Sequence, residues 1–237
     1  MTCCEKNNIR NCTGEAFGTF ILVLFGCSSV AVSVLFKAHV GLFQIAAVWG
    51  LGVTLAIYAT RHLSCAHLNP AVSIAMAISG RMPTKKLPLY IIGQLLGAFL
   101  AGFFVYLLFS GAIAHFEAVN NIIRGQPNSV VTAMMFGEYF PPPSSLTYTI
   151  SAPNAFFAEA LGTFLLVIMI FLLTEGCNVG RPGDSFAPIL IGATITAIIC
   201  IIAPLTQAGL NPARDFGPRL FAFLAGWKSV AIPGPKG

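Results

Sequence analysis

The chain has 237 residues, 56% of them hydrophobic and 9% charged, with a formal net charge of +5. Soluble proteins carry about 25% charged residues, so this composition excludes an ordinary soluble domain and reads as an all-α integral membrane protein. The small positive charge is a matter of loop distribution and not a nucleic-acid signal, and seven scattered cysteines give neither a disulfide framework nor a metal-ligand spacing.

In chain order, the polar N-terminal segment holds Cys3, Cys4 and Cys12, read as thiols of a cytosolic tail with lipidation as the alternative. Asn11-Cys12-Thr13 matches a glycosylation acceptor by spacing alone. A first apolar span lies near 16–36, opened by Glu15. It is no signal peptide, because no small-residue cleavage site follows and a second span comes at once. Further spans are placed near 40–60, 87–110, 155–174 and 186–205, each matching the roughly 20 residues a bilayer crossing needs. Two shorter apolar stretches, 68–80 and 210–226, each begin at an Asn-Pro-Ala. A long polar loop, 115–153, divides the chain.

Lysines and arginines set the orientation. With the N-terminus inside, the cytoplasmic side holds Lys6, Arg10, Arg61, Arg81, Lys85, Lys86 and Arg181, against Lys37, Arg124, Lys228 and Lys236 outside. The bias favours a cytoplasmic N-terminus.

The sequence repeats itself. "GEAFGTFILVLF" at 14–25 matches "AEALGTFLLVIM" at 158–169, and "HLNPA" matches "GLNPA". Glu15 and Glu159 are 144 positions apart and Asn69 and Asn211 are 142 apart, so both matches describe one duplication. Repeat one covers about 14–110 and repeat two about 154–237, within a single membrane domain. Three spans separate Asn69 from Asn211, and an odd number inverts the second repeat relative to the first. The two half-spans then enter from opposite faces and meet near the midplane.

Asn-Pro-Ala suits that place. Asn is a strong helix N-cap, Pro fits the first helical position, and Ala permits close backbone approach. Asn69-Pro70-Ala71 and Asn211-Pro212-Ala213 therefore each start a helix at membrane depth. Non-helical backbone there is tolerated only inside protein or beside a watery cavity. Two facing N-termini carry about half a positive charge each, which opposes cations and leaves neutral hydrogen-bonding solutes free to pass. The stretches 63–68 and 205–210 are expected to offer backbone carbonyls along one wall. Glu15 and Glu159 are carboxylates in apolar surroundings, candidates to accept the loop N–H groups that the broken helices leave unpaired, and His67 is expected to be a pore-lining hydrogen-bonder.

At these motifs the sequence resembles the major intrinsic proteins, the aquaporins and aquaglyceroporins, from about residue 14 to 232. The resemblance implies a channel assembled as a homotetramer with one pore per subunit, embedded in membrane lipid; the residues themselves lead to the expectation of no cofactor and no metal. "NPARDFGPRLFAFLAGW" is similar to the glycerol-facilitator branch, since water-only members carry small residues where this chain has Asp215 and Arg219. By resemblance the selectivity filter is Trp49, Ile199, Ala208 and Arg214, with Asp215 holding the surrounding loop. Glycerol facilitators usually have Phe and Gly at the positions of Ile199 and Ala208, and Trp-Ile-Ala-Arg is closer to a plant nodulin-26-like filter. Cys65 stands where a glycine is common, which implies a pore-facing thiol and sensitivity to mercurials. The expected function is passive passage of glycerol, other small neutral solutes and water, with ions and protons excluded. A coupled secondary transporter and a closed-pore structural membrane protein are the alternatives. The repeat also calls for a sixth span, partner of 87–110; five full spans are visible, so the chain is expected to be incomplete and not to conduct alone.

Overall fold

The computed structural model describes residues 7–143 and 150–234. Cys3, Cys4, Lys6 and Lys236 lie outside the described residues. In chain order the helices are α1 (Asn8–Phe36), α2 (Leu42–Thr60), α3 (Pro70–Ile78), α4 (Leu87–Val119), α5 (Val130–Ala133), α6 (Ala152–Thr174), α7 (Ala187–Thr206) and α8 (Pro212–Ala222). Among the described residues, five helices are long and apolar enough to cross a membrane, namely α1, α2, α4, α6 and α7. Helices α3 and α8 are the two half-spans.

Two boundaries differ from the hydropathy reading. Helix α1 starts at Asn8, well before residue 16, because the Asn7 side chain caps it by accepting from the Ile9 N–H at 3.0 Å. Glu15 therefore lies inside the helix instead of opening it, and Asn11 is fully buried in its first turns, which removes the glycosylation reading. Helix α4 continues to Val119, past residue 110. Ser110, His115 and Glu117 end the apolar run there without breaking the helix, so the 115–153 segment begins as helix and also contains α5.

The repeat governs the packing. Helix α1 packs on α2 and α4, α6 on α7, α8 on α4, and the halves meet where α2 crosses α7. At that crossing a Cβ on Gly50 would press on the Gly192 carbonyl oxygen, and one on Gly192 on the Gly50 carbonyl oxygen. Thr54 Oγ1 donates to the Gly50 carbonyl at 3.0 Å, and Thr196 Oγ1 to the Gly192 carbonyl at 3.2 Å. Small residues let membrane helices approach closely where lipid gives no hydrophobic drive for association. The same symmetry recurs behind each half-span, where Gly18 abuts the Leu68 side chain and Gly162 that of Leu210. Outward faces carry exposed Leu107, Leu108, Phe156, Phe157 and Phe164, as lipid contact requires.

A polar cluster fastens the segment after α4 to the segment after α8. Arg124 pairs with Glu117 at 2.8 Å and lies over the Trp227 ring at 4.2 Å, while Trp227 Nε1 donates to Thr132 Oγ1 at 3.0 Å.

Candidate functional site

The two Asn-Pro-Ala segments come together as a reciprocal pair. Asn69 Oδ1 caps α3 by accepting from the Ala71 N–H at 2.8 Å, and Asn211 Oδ1 caps α8 by accepting from Ala213 at 3.1 Å and Arg214 at 3.2 Å. Pro70 and Pro212 occupy the first helical positions, where a missing N–H costs nothing. Each amide then donates across to the other repeat: Asn69 Nδ2 to the Leu210 carbonyl at 2.9 Å, and Asn211 Nδ2 to the Leu68 carbonyl at 2.7 Å. An amide has two N–H donors, so each asparagine keeps one beyond this cross-link. Within the stretches 63–68 and 205–210, the Leu68 and Leu210 carbonyls each give one of two lone pairs to the opposite asparagine.

The approach to each motif is held in an uncommon backbone form. Ala66 and Leu68 have φ of 50° and 55°, and their repeat equivalents Ala208 and Leu210 have 62° and 52°. Left-handed backbone costs a non-glycine residue roughly 1–2 kcal/mol, and two carboxylates, the buried Glu15 and the half-buried Glu159, offset that cost. Glu15 accepts from the N–H groups of His67 at 3.0 Å and Leu68 at 2.7 Å, and also from Ser64 Oγ and Gln94 Nε2, both at 2.7 Å. Glu159 accepts from the N–H groups of Gly209 at 3.0 Å and Leu210 at 2.9 Å, and from Thr206 Oγ1. These are the loop donors that the broken helices leave without helical partners. His67 shares a hydrogen bond with Ser73 Oγ through Nδ1 at 3.2 Å.

A cavity of about 830 Å³ runs along this axis, lined by His67, Asn69, Leu68, Ala208, Asn211 and Arg214 among others, with Cys65 also on its wall. Residues beyond the ends of α2, α3 and α6, including Arg61, Arg81 and Glu175, line its far end. A second cavity of about 140 Å³ is lined by Met134, Glu138 and Gln207. Trp49, Ile199 and Arg214 line both, so these three side chains form the neck between them. Arg214 is 6% exposed, and its guanidinium lies over the Trp49 ring, 4.1 Å from the centroid. The stacked cation fixes one wall of the neck and Ile199 supplies an apolar surface.

The charges around the neck pair across elements and turns, not between sequence neighbours. Arg214 and Asp215 are neighbours but do not pair with each other, since consecutive helix residues point in different directions. Asp215 pairs with Arg219, one turn on, at 3.2 Å. The partner of Arg214 is Glu138, from the segment after α5, a residue the sequence reading missed. Asp215 does hold a loop: its Oδ1 accepts from the Glu138 N–H at 2.7 Å. Burial pushes the Glu138 carboxyl up to about 8 against the opposing pull of Arg214, with Asp215 and Glu159 adding to the rise. Burial likewise raises Tyr139, while Arg219 opposes.

Paired half-helices, a carboxylate bracing the backbone before each, and one lined passage define a membrane channel built from an inverted repeat. The model of the major intrinsic proteins matches residues 3–235, and the chain belongs to that family. It is 44% identical over 232 residues to the glycerol uptake facilitator protein of Haemophilus influenzae, covering 98% of this chain and 85% of that one. It is 38% identical over 225 residues to the propanediol uptake facilitator PduF of Salmonella typhimurium, covering 95% and 83%. The crystal structure of the aquaglyceroporin from Plasmodium falciparum superposes with a TM-score of 0.82 at 28% identity, covering 97% of this chain and 86% of that one.

Proposed function

We propose that the protein is a passive channel for glycerol and other small neutral polyols, with water passing alongside and ions and protons excluded. The observation that carries this reading is the continuous lining from Asn69 and Asn211 to Trp49, Ile199, Ala208 and Arg214 in one cavity. A polyol presents hydroxyls along one edge and a hydrocarbon backbone along the other. In the neck, Arg214 meets the hydroxyl edge, while Trp49 and Ile199 accept the hydrocarbon edge. Beyond it, the second N–H of each asparagine donates to the passing oxygen, and the two helix N-termini oppose cations. Relatives named for glycerol and propanediol uptake support this substrate class. Ile199 and Ala208 leave the neck wider than a filter closed by a second aromatic ring. In this reading the N-terminus is cytoplasmic and the protein is a homotetramer with one pore per subunit.

The test is stopped-flow light scattering of liposomes holding the full-length protein. In an inward glycerol gradient they are expected to shrink and re-swell at least tenfold faster than empty liposomes, roughly the gain that removing 1.4 kcal/mol of barrier gives. Re-swelling no faster than empty liposomes contradicts the proposal.

A further inference from the structure

We propose that Ser73 is a positioning residue that fixes His67 as one tautomer, with the proton on Nε2, so that the ring gives the passage a hydrogen-bond donor and turns its basic nitrogen into the wall. The tautomer follows from the hydrogen-bond geometry alone, whereas its use by a passing polyol rests on the glycerol-channel reading. Four donors converge on the Glu15 carboxylate: Ser64 Oγ and the His67 N–H on Oε1, and the Leu68 N–H and Gln94 Nε2 on Oε2. Two carboxylate oxygens offer about four lone-pair sites, so Glu15 is filled as an acceptor and has no room for a proton of its own. The Gln94 amide is oriented in consequence. Its Nε2 reaches both Glu15 Oε2 at 2.7 Å and Ser73 Oγ at 2.9 Å, and turning the amide over would set its oxygen against the carboxylate.

One Gln94 N–H thus serves Glu15 and the other serves Ser73. Ser73 Oγ accepts from Gln94 and keeps a single O–H to give. The Ser73 side chain is fully buried, and its other hydrogen-bond partner among the described residues is His67 Nδ1 at 3.2 Å. That nitrogen has to accept. A neutral imidazole has one donor and one acceptor nitrogen, and the bond made at one sets the state of the other, so the proton sits on Nε2. With a proton on Nδ1 instead, or on both nitrogens, the buried Ser73 O–H would be left without an acceptor, which is unfavourable.

The ring itself is held in place. The His67 N–H is tied to Glu15 at 3.0 Å, and the imidazole packs on the Tyr90 ring with centroids 5.0 Å apart. His67 lines the main cavity together with Asn69 and Asn211. No protein atom among the described residues bonds Nε2, so the Nε2–H is the donor left for solute, a third side-chain donor beside the two asparagines. Because the Nδ1 lone pair is taken by Ser73, the ring offers the passage no basic nitrogen. The relay has no counterpart in repeat two, where Gly209 and Asp215 stand 142 positions after His67 and Ser73.

The test is solid-state nitrogen NMR of the full-length protein in liposomes at neutral pH, with isotopically labelled histidines. A His67→Asn sample identifies the His67 signals among those of the four histidines. Wild type is expected to show one tautomer, with Nε2 protonated and Nδ1 bare. Ser73→Ala should mix the two tautomers and lower glycerol permeability roughly three- to tenfold, the range that one neutral hydrogen bond covers. Ser73→Thr, which keeps the hydroxyl, should restore both. Wild-type His67 protonated on Nδ1, or divided between tautomers, overturns the proposal whether or not the Ala variant folds. A Ser73→Ala spectrum identical to wild type also overturns it, as does a mixed spectrum with wild-type glycerol permeability. Wild-type liposomes that pass no glycerol defeat the underlying glycerol reading instead, while the spectrum still decides the tautomer.

Discussion

Glu15 and Glu159 show how one residue type can hold an otherwise unfavourable backbone. Each is a carboxylate turned toward N–H groups of a left-handed stretch, and together they make the two halves of the passage alike. Glu159→Ala would strand the N–H groups of Gly209 and Leu210 and the Thr206 hydroxyl, at about 1–3 kcal/mol for each buried donor left unpaired. The variant is expected to melt several degrees lower in detergent and to lose most solute flux; an unchanged melting temperature with full flux would show that Leu210 needs no such support. These carboxylates were legible in the sequence, because a charged residue duplicated in two apolar helices has few other uses. Glu138 was not: it lies 77 positions from Asp215, in a polar loop with no repeat counterpart, and its partner is set only by the fold. The true partner of Asp215 was recoverable from spacing, since Arg219 sits one helical turn on.

At the scale of elements, the starts of α3 and α8 were legible because Asn-Pro-Ala carries its own capping chemistry. The end of α4 was not, because a helix that outruns its apolar stretch leaves no hydropathy signal. The α2–α7 crossing was readable in retrospect. Gly50 and Thr54 stand 142 positions before Gly192 and Thr196, the same offset as the two motifs, but glycine and threonine stand out little in such a chain. That crossing brings Trp49 of α2 and Ile199 of α7 to the same neck. Gly192→Ala would drive a methyl group against the Gly50 carbonyl and Thr54 and push α2 from α7, at about 1–3 kcal/mol for overpacking. The expected result is a lower melting temperature in detergent with altered solute ranking, and a variant indistinguishable from wild type in both would mean the contact tolerates a side chain. Gly50→Ala should behave alike, since each glycine faces the other's carbonyl.

Across the whole molecule, inversion of the repeat turns two ordinary helix starts into one passage. Asn69 and Asn211 each bond the opposite repeat, and a cross-linked centre of this kind suits a conduit more than a carrier that alternates between two states. The Arg214 guanidinium at the neck and the two half-helix N-termini both present positive charge to the passage, so cations are opposed at two places along it. The most direct measurement is the flux of labelled glycerol into liposomes holding the full-length protein, taken over a wide range of glycerol concentrations with and without imposed proton and sodium gradients. The account predicts initial rates that rise linearly with concentration, do not respond to either gradient, and stop when inner and outer concentrations are equal. Accumulation above the outer concentration when a gradient is imposed would contradict it and point to coupled transport.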